Sequence, residues 1–225
     1  MTDNACHRPY VRHPVLFDLD GTITDSAPII TECFALTMKK LSGWDKAPSF
    51  YRKYVGPPLP NSFVEMGADD VNLYVRTYRE FYVQRMYDTP FFPGMEALLR
   101  RLNAAGVPMV VATSKRTDMA TVLLDHLGVS SLFLAVCGSP EGHEDGTKAE
   151  RVGEALTVLR EAGVSAAHAL MVGDRFYDTE GAGAYGIPAV LVTWGEGNPR
   201  EWAQAWKTAD SVEQLEEIIM DQKVP

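Results

Sequence analysis

Short apolar runs, each halted by a polar residue, constrain this chain more than any other feature. Val15-Leu16-Phe17 follows Pro14 and stops at Asp18. Val107 to Ala112 stops at Thr113, Ala169 to Val172 at Gly173-Asp174, and Ala189 to Val192 at Thr193. Runs of this length, closed by turn-forming residues, read as buried strands. Leu132 to Val136 is a further candidate. Helical patterns separate them: Gly94 to Ala105, Arg116 to Leu127, Lys148 to Ala162 and Asp178 to Tyr185, the last halted at Gly186 in the position of a C′ glycine. Strands alternating with helices predict an α/β fold, a parallel sheet with helices on both faces.

One stretch departs from the alternation. From Ile23 to Thr89 no strand pattern is found. Ser26 to Leu41 puts Ile30, Cys33, Phe34, Thr37 and Leu41 on one stripe, and Asp70 to Tyr87 does the same with Val71, Tyr74, Val75, Tyr78, Phe81, Tyr82 and Met86. Both follow the 3.6 period of amphipathic helices. Val55-Gly56-Pro57-Pro58-Leu59-Pro60 between them cannot continue a helix. The predicted organisation is a discontinuous α/β core, residues 1–22 and 90–225, interrupted by an all-helical insert over 23–89.

Composition excludes several function classes. The chain is 46% hydrophobic and 23% charged, which argues against a disordered or fibrous chain. Its net charge of −9 disfavours a nucleic-acid polymer or an anionic membrane as partner. No apolar run reaches the roughly 18 residues of a membrane helix. Cys6, Cys33 and Cys137 are unclustered, which suggests reduced thiols and a cytoplasmic location. Met1 to Pro14 is polar, lacks the apolar stretch of a secretory signal, and reads as a short leader.

The acids have a pattern. Asp18-Leu19-Asp20-Gly21-Thr22 follows the first strand, and ligands of open α/β sheets bind outside the carboxyl ends of strands. Alone, the pair reads either as a solvated acidic turn or as two acids held together by a cation. Thr22 and Ile29 exclude a calcium-loop reading. Asp174 and Asp178 follow another strand and would share the same sheet edge. Hard oxygen donors suit Mg²⁺. Thr113-Ser114-Lys115 ends a third strand, where a hydroxyl and turn amides can hold phosphate oxygens. Lys148 opens the next helix, as a surface lysine or as a cation facing phosphate or nucleophile.

These segments, together with Ile23-Thr24-Asp25-Ser26 and Val172-Gly173-Asp174-Arg175-Phe176-Tyr177-Asp178, resemble the haloacid dehalogenase superfamily of aspartate-nucleophile phosphatases, from about Val15 to the final helix. The resemblance implies a Rossmann-like parallel sheet core with the insert as a helical cap. Phe92-Pro93-Gly94-Met95 is similar to the return into the core in phosphoglycolate-phosphatase-like members. Val55 to Leu59, Tyr78 to Tyr82 and Gly173-Asp174-Arg175 look closest to a bacterial 5′-nucleotidase-like branch.

The resemblance also implies roles. Asp18 would be the nucleophile that forms an aspartyl phosphate, and Asp20 the general acid and base. Mg²⁺ would be held by the Asp18 carboxylate, the Asp20 backbone carbonyl and Asp174, with Asp178 in support. Thr113, the Ser114 amide and Lys148 would hold the phosphoryl group. Dehalogenases of the superfamily lack an acid at the position of Asp20, so phosphoryl transfer is the expected chemistry. The expected substrate is a small phosphorylated metabolite of the phosphoglycolate or nucleoside 5′-monophosphate type. A phosphomutase, or a catalytically idle domain used for binding, are the competing expectations.

Departures from the family pattern are Ala149 after Lys148, where many relatives have proline, and Arg175 after Asp174, where a small residue is usual. Arg175 either reaches substrate or pairs with a neighbouring acid, the pair being the preferred reading. Arg52, Lys53 and Arg79 are the insert cations to consider for substrate contact. Gly181 to Gly186 matches G-x-G-x-x-G literally, but it does not exit a strand directly and reads as a helix of small residues against the sheet. The histidines show no ligand spacing. His143 lies in a loop before Lys148 and reads as solvated. Trp194, Trp202 and Trp206 read as packing residues.

Overall fold

The computed structural model describes residues 12–141 and 146–221. The leader, apart from Arg12, His13 and Pro14, and the His143 loop lie outside the described residues. Six parallel strands form one sheet: β1 (Val15–Phe17), β2 (Met109–Arg116), β3 (Val136–Ser139), β4 (Leu170–Gly173), β5 (Ala189–Val192) and β6 (Lys207–Ala209). Their spatial order is β3-β2-β1-β4-β5-β6, the Rossmann order, with its reversal at β1. Register pairs Val15 with Met109 on one side and with Leu170 on the other, so the ends of β1, β2 and β4 lie side by side.

Period-two alternation explains how one short strand serves two cores. Leu16 faces α6 (Lys148–Glu161) and α7 (Phe176–Gly183), packing with Val110, Met171, Val152 and Ala182. Val15 and Phe17 face the other way, into the core shared with α4 (Met95–Ala104), α5 (Thr117–His126) and α9 (Val212–Met220). At about 25 cal/mol per Å² of apolar surface, a fully buried leucine or phenylalanine contributes roughly 2 kcal/mol.

Between β1 and β2 run α1 (Ala27–Ser42), a 3-10 helical segment (Pro48–Tyr54), α2 (Leu59–Glu65), α3 (Val71–Arg85) and a 3-10 turn (Met86–Asp88). No strand interrupts them, as the periodicity predicts. Phe34 is their hub: its ring lies 6.1 Å from Tyr51, 5.3 Å from Phe63 and 4.9 Å from Tyr78, centre to centre. The two crossings into this segment pair with each other, Asp25 N–H donating to the Pro90 carbonyl at 3.0 Å and Phe92 N–H to the Ile23 carbonyl at 3.1 Å.

Several boundaries differ from expectation. The third strand is Val136–Ser139, not Leu132–Val136; Ser130–Leu132 is a 3-10 turn and Leu134 is exposed. The apolar count drew the reading too early, while Gly138 and Ser139 hid the true strand. β2 continues past Thr113 to Arg116, because its register against β3 slips between Ala112 and Arg116. Gly138 permits that slip, since a Cβ there would collide with the Lys115 carbonyl and the Thr117 amide. β6 and α8 (Pro199–Trp202) were not anticipated; β6 is a three-residue edge strand that begins with lysine and threonine. The Gly181–Gly186 run lies in α7 and the turn after it, with Gly181 against Lys148. Trp194 packs beside Phe92 and its indole N–H donates to the Thr22 carbonyl at 3.2 Å.

Candidate active site

β1, β4 and β2 deliver Asp18, Asp174 and Thr113 to the same edge, because each residue directly follows, or lies at, the end of its strand's buried run. The Asp18 amide continues the ladder, donating to the Val172 carbonyl at 2.8 Å. Its side chain is therefore carried by the sheet itself. Gly21 then turns the chain with φ of +85°, a left-handed conformation, and any Cβ there would strike the Asp174 carboxylate.

Asp178 reaches this edge from α7. It sits at the third position of that helix, and its Oδ2 accepts from the Asp174 and Arg175 amides at 3.2 and 3.1 Å. Lys148 arrives from α6, whose start is set by Thr147 accepting from the Glu150 amide at 3.3 Å. The Lys148 Nζ lies 2.8 Å from Asp18 Oδ1 and 2.9 Å from Asp178 Oδ1, and donates to the Ala112 carbonyl at 3.2 Å. Lys148 is thus a buried cation at the centre of the site, not a surface lysine.

Two carboxylates share this single ammonium, and a third, that of Asp174, lies beside them. Ligand oxygens of Asp18, Asp174 and Asp178 lie within 4.8 Å of one another. Asp174 Oδ2 accepts from the Glu196 amide at 2.7 Å, but its buried Oδ1 has no hydrogen-bond partner. Burial, followed by the Asp178 and Asp18 charges, holds Asp174 well above the ordinary carboxylate range. Burial also dominates at Asp18, pushing it up to about 6, although Lys148 opposes the shift. At Lys148 burial works against the charged form, yet Asp178 and Asp18 more than reverse it and raise its pKa. Excess negative charge, hard oxygen donors and an orphaned carboxylate oxygen suit a small divalent cation such as Mg²⁺.

Asp20 is separate. Its carboxylate accepts from Lys115 Nζ at 3.1 and 2.9 Å, and lies outside the three-carboxylate cluster. The Lys115 Nζ also sits 4.5 Å from the centre of the Tyr82 ring of α3. Neither contact is legible in the sequence. Lys115 stood in view beside Thr113-Ser114, but Asp20 and Tyr82 are distant in the chain and only the slipped register of β2 aims the lysine at them. Thr113 is buried, and its Oγ1 accepts from the Lys115 amide at 3.1 Å, which leaves its own proton to donate.

These groups open into a cavity of about 110 Å³, room for several water-sized groups. Asp18, Asp20, Thr113, Ser114 and Lys115 line its floor, and Arg79 lines its wall. Arg52, Lys53 and Arg175 are not among the lining residues. Arg52 donates from Nε to Glu196 at 2.8 Å, and Lys53 pairs with Glu65 at 2.7 Å. Arg175 pairs with Glu201 at 2.9 Å and donates to the Val55 carbonyl at 2.7 Å, tying α8 and the segment before α2 to the strand end. The ion-pair reading of Arg175 therefore holds.

A Rossmann-order sheet with clustered acids at its carboxyl edge defines an open-sheet α/β protein with a candidate site at the strand ends. The family model of haloacid dehalogenase-like hydrolases matches residues 15–192. The chain belongs to that family. It is 33% identical over 196 residues to a 5′-nucleotidase of Pseudomonas aeruginosa, covering 85% of this chain and 87% of the relative. It is 35% identical over 185 residues, 81% of its length, to the tyrosine-protein kinase PtkA of Mycobacterium tuberculosis, of which it spans 62%. Among solved structures, a protein described as a predicted phosphatase from Clostridium acetobutylicum superposes with a TM-score of 0.86 at 33% identity, covering 94% of this chain and 99% of that one. Among the described residues no helix is long and apolar enough to cross a membrane.

Proposed function

We propose that this chain is a Mg²⁺-dependent phosphomonoesterase acting through an aspartyl phosphate on Asp18. The observation that carries the reading is the buried Asp18–Asp174–Asp178 cluster around Lys148, beneath a cavity that also presents Asp20 and Thr113. The names of the relatives, a nucleotidase and a tyrosine kinase, both describe phosphoryl-group chemistry.

Asp18, Asp174 and Asp178 would hold Mg²⁺, with the Asp20 carbonyl completing the set. When bound, the ion offsets the repulsion between an anionic carboxylate and an anionic phosphate. Lys148 fixes Asp18 through Oδ1 and turns its carboxylate toward the cavity. An Asp18 oxygen attacks phosphorus, the ester P–O bond breaks, and Asp20 gives its proton to the departing alkoxide. Asp20 then takes a proton from the water that hydrolyses the acyl phosphate. Thr113 Oγ1 and the Ser114 amide orient the transferring group, which converts encounter into in-line attack. Lys115 holds Asp20 in place and stabilises its carboxylate between the two half-reactions, after the proton has left with the alcohol and before water returns one.

The helical segment over 23–89 acts in this reading as a cap on the core formed by 1–22 and 90–225. It roofs the cavity with its own side chains and so excludes water. A phosphomutase would share the phospho-Asp18 step and differ in excluding water from its second half. Phosphate release from a panel of monoesters, with and without Mg²⁺, separates the readings. Wild type should release phosphate only with the metal, and Asp18→Asn should release none. Turnover that survives in Asp18→Asn refutes the nucleophile, and absence of any release refutes the hydrolase.

A further inference from the structure

The cavity has two chemically different halves. Its floor is the polar set already described. Its upper wall is Phe34 from α1, Tyr54, Leu59 at the start of α2, Tyr78 and Tyr82 from α3, and Met119 from α5. Whatever leaves with the ester oxygen occupies this upper half, since Asp18 and Thr113 hold the phosphoryl end.

Charge decides what that group can be. A substrate carrying a second anion, such as a carboxylate, needs a cation to receive it in a half-buried site. The cations that line the cavity are Lys115, Arg79 and Arg116. Lys115 is matched by Asp20. Arg79 and Arg116 stand with Asp118 and Glu141, which pair with Arg116 through Asp118 Oδ1 at 2.6 Å and Glu141 Oε1 at 3.1 Å. Two positive and two negative charges leave that rim cluster neutral. Aromatic and aliphatic walls, with no cation in excess, favour an uncharged group that offers a flat apolar face.

We propose that the cavity selects phosphate esters whose leaving group bears an uncharged planar ring, a nucleoside or an aryl group, over small polyanions and polyols. The proposal takes its chemistry from the phosphomonoesterase reading, but its selectivity can be measured without turnover. Phenylphosphonate and phosphonoacetate share a phosphonate and differ in ring against carboxylate. Calorimetric titration of the Mg²⁺-loaded protein should find phenylphosphonate at least tenfold tighter. In turnover, phenyl phosphate and nucleoside 5′-monophosphates should each exceed phosphoglycolate and glycerol 3-phosphate at least tenfold in kcat/KM.

Leu59→Lys and Met119→Lys each put an ammonium in place of an apolar lining residue, removing ring contact and supplying the cation that a second carboxylate needs. Each should collapse the preference for phenylphosphonate over phosphonoacetate to less than threefold. Either variant suffices if the other fails to fold. Equal or tighter binding of phosphonoacetate by wild type overturns the proposal, as does an unchanged preference in folded variants. Ring selectivity in binding with no ester hydrolysed would instead overturn the phosphomonoesterase reading alone. The ratio of nucleotide to aryl turnover separates the two sources of the ring.

Discussion

Replacing Lys148 by methionine removes one positive charge from a site with three acids while keeping most of the side-chain volume. The lysine side chain is 5% exposed and the Asp18 and Asp178 side chains 8% and 1%, so solvent cannot substitute for it. Breaking a buried pair by deleting one partner typically costs about 3–5 kcal/mol, because the remaining charge stays buried and uncompensated. Here two carboxylates lose the same partner, so the cost at pH 8 without metal should reach that range. The escape is protonation, which makes the loss shrink by at most about 1.4 kcal/mol per pH unit lowered for each proton taken up. Mg²⁺ should stabilise the variant more than wild type, since it would enter a more negative cluster. Guanidinium unfolding followed by tryptophan fluorescence, at pH 8 and pH 5.5, with EDTA or with Mg²⁺, measures all of this. A loss below about 1 kcal/mol at pH 8, together with an unchanged response to Mg²⁺, would refute the electrostatic account of the site.

The other predictions rest on the same geometry. Asp18 has a raised folded pKa, so the folded state binds the extra proton between the unfolded value of 3.8 and about 6; metal-free stability should fall as pH rises through that window, and Mg²⁺ should flatten the fall in a thermal-melt series. Asp18→Asn should therefore abolish turnover while raising metal-free stability at pH 7, and a variant less stable than wild type contradicts the reading that the metal-free site holds negative charge in excess of Lys148. Gly21→Ala should weaken Mg²⁺ binding at least tenfold by titration calorimetry, because its Cβ displaces the Asp174 carboxylate. Lys115→Met should lower kcat about 10- to 100-fold with little change in KM, since misplacing Asp20 affects the reacting atoms and not the phosphate contacts; a purely KM effect would assign Lys115 to substrate binding. Phe34→Ala should cost about 3–5 kcal/mol, the range for a buried aromatic, and the loss should be read from the denaturant midpoint.

Much of the site was legible because each of its parts lies next to a local signal. Asp18, Thr113 and Asp174 stand where an apolar run stops, and parallel strands bring such stops to one edge. Asp178 and Lys148 each begin a helical pattern beside that edge. The helical character of 23–89 followed from period alone. What failed was local weakness: β3 contains glycine and serine, and β6 has three residues, so neither carries enough hydrophobic pattern to be recognised.

The sequence by itself therefore determined the alternating architecture, the interruption after the first strand and the residues that meet at the carboxyl edge, because these depend on periodicity and on neighbours in the chain. Only the tertiary structure decided how the charges are shared. Lys148 divides itself between Asp18 and Asp178, while Lys115 takes Asp20 and rests on Tyr82, and these choices turn on distances of a few ångströms across elements far apart in the chain. The same holds for the arginines named as substrate candidates. Arg52 and Arg175 bind Glu196 and Glu201, acids brought beside them by the turns after β5, and a linear pattern contains no record of that proximity.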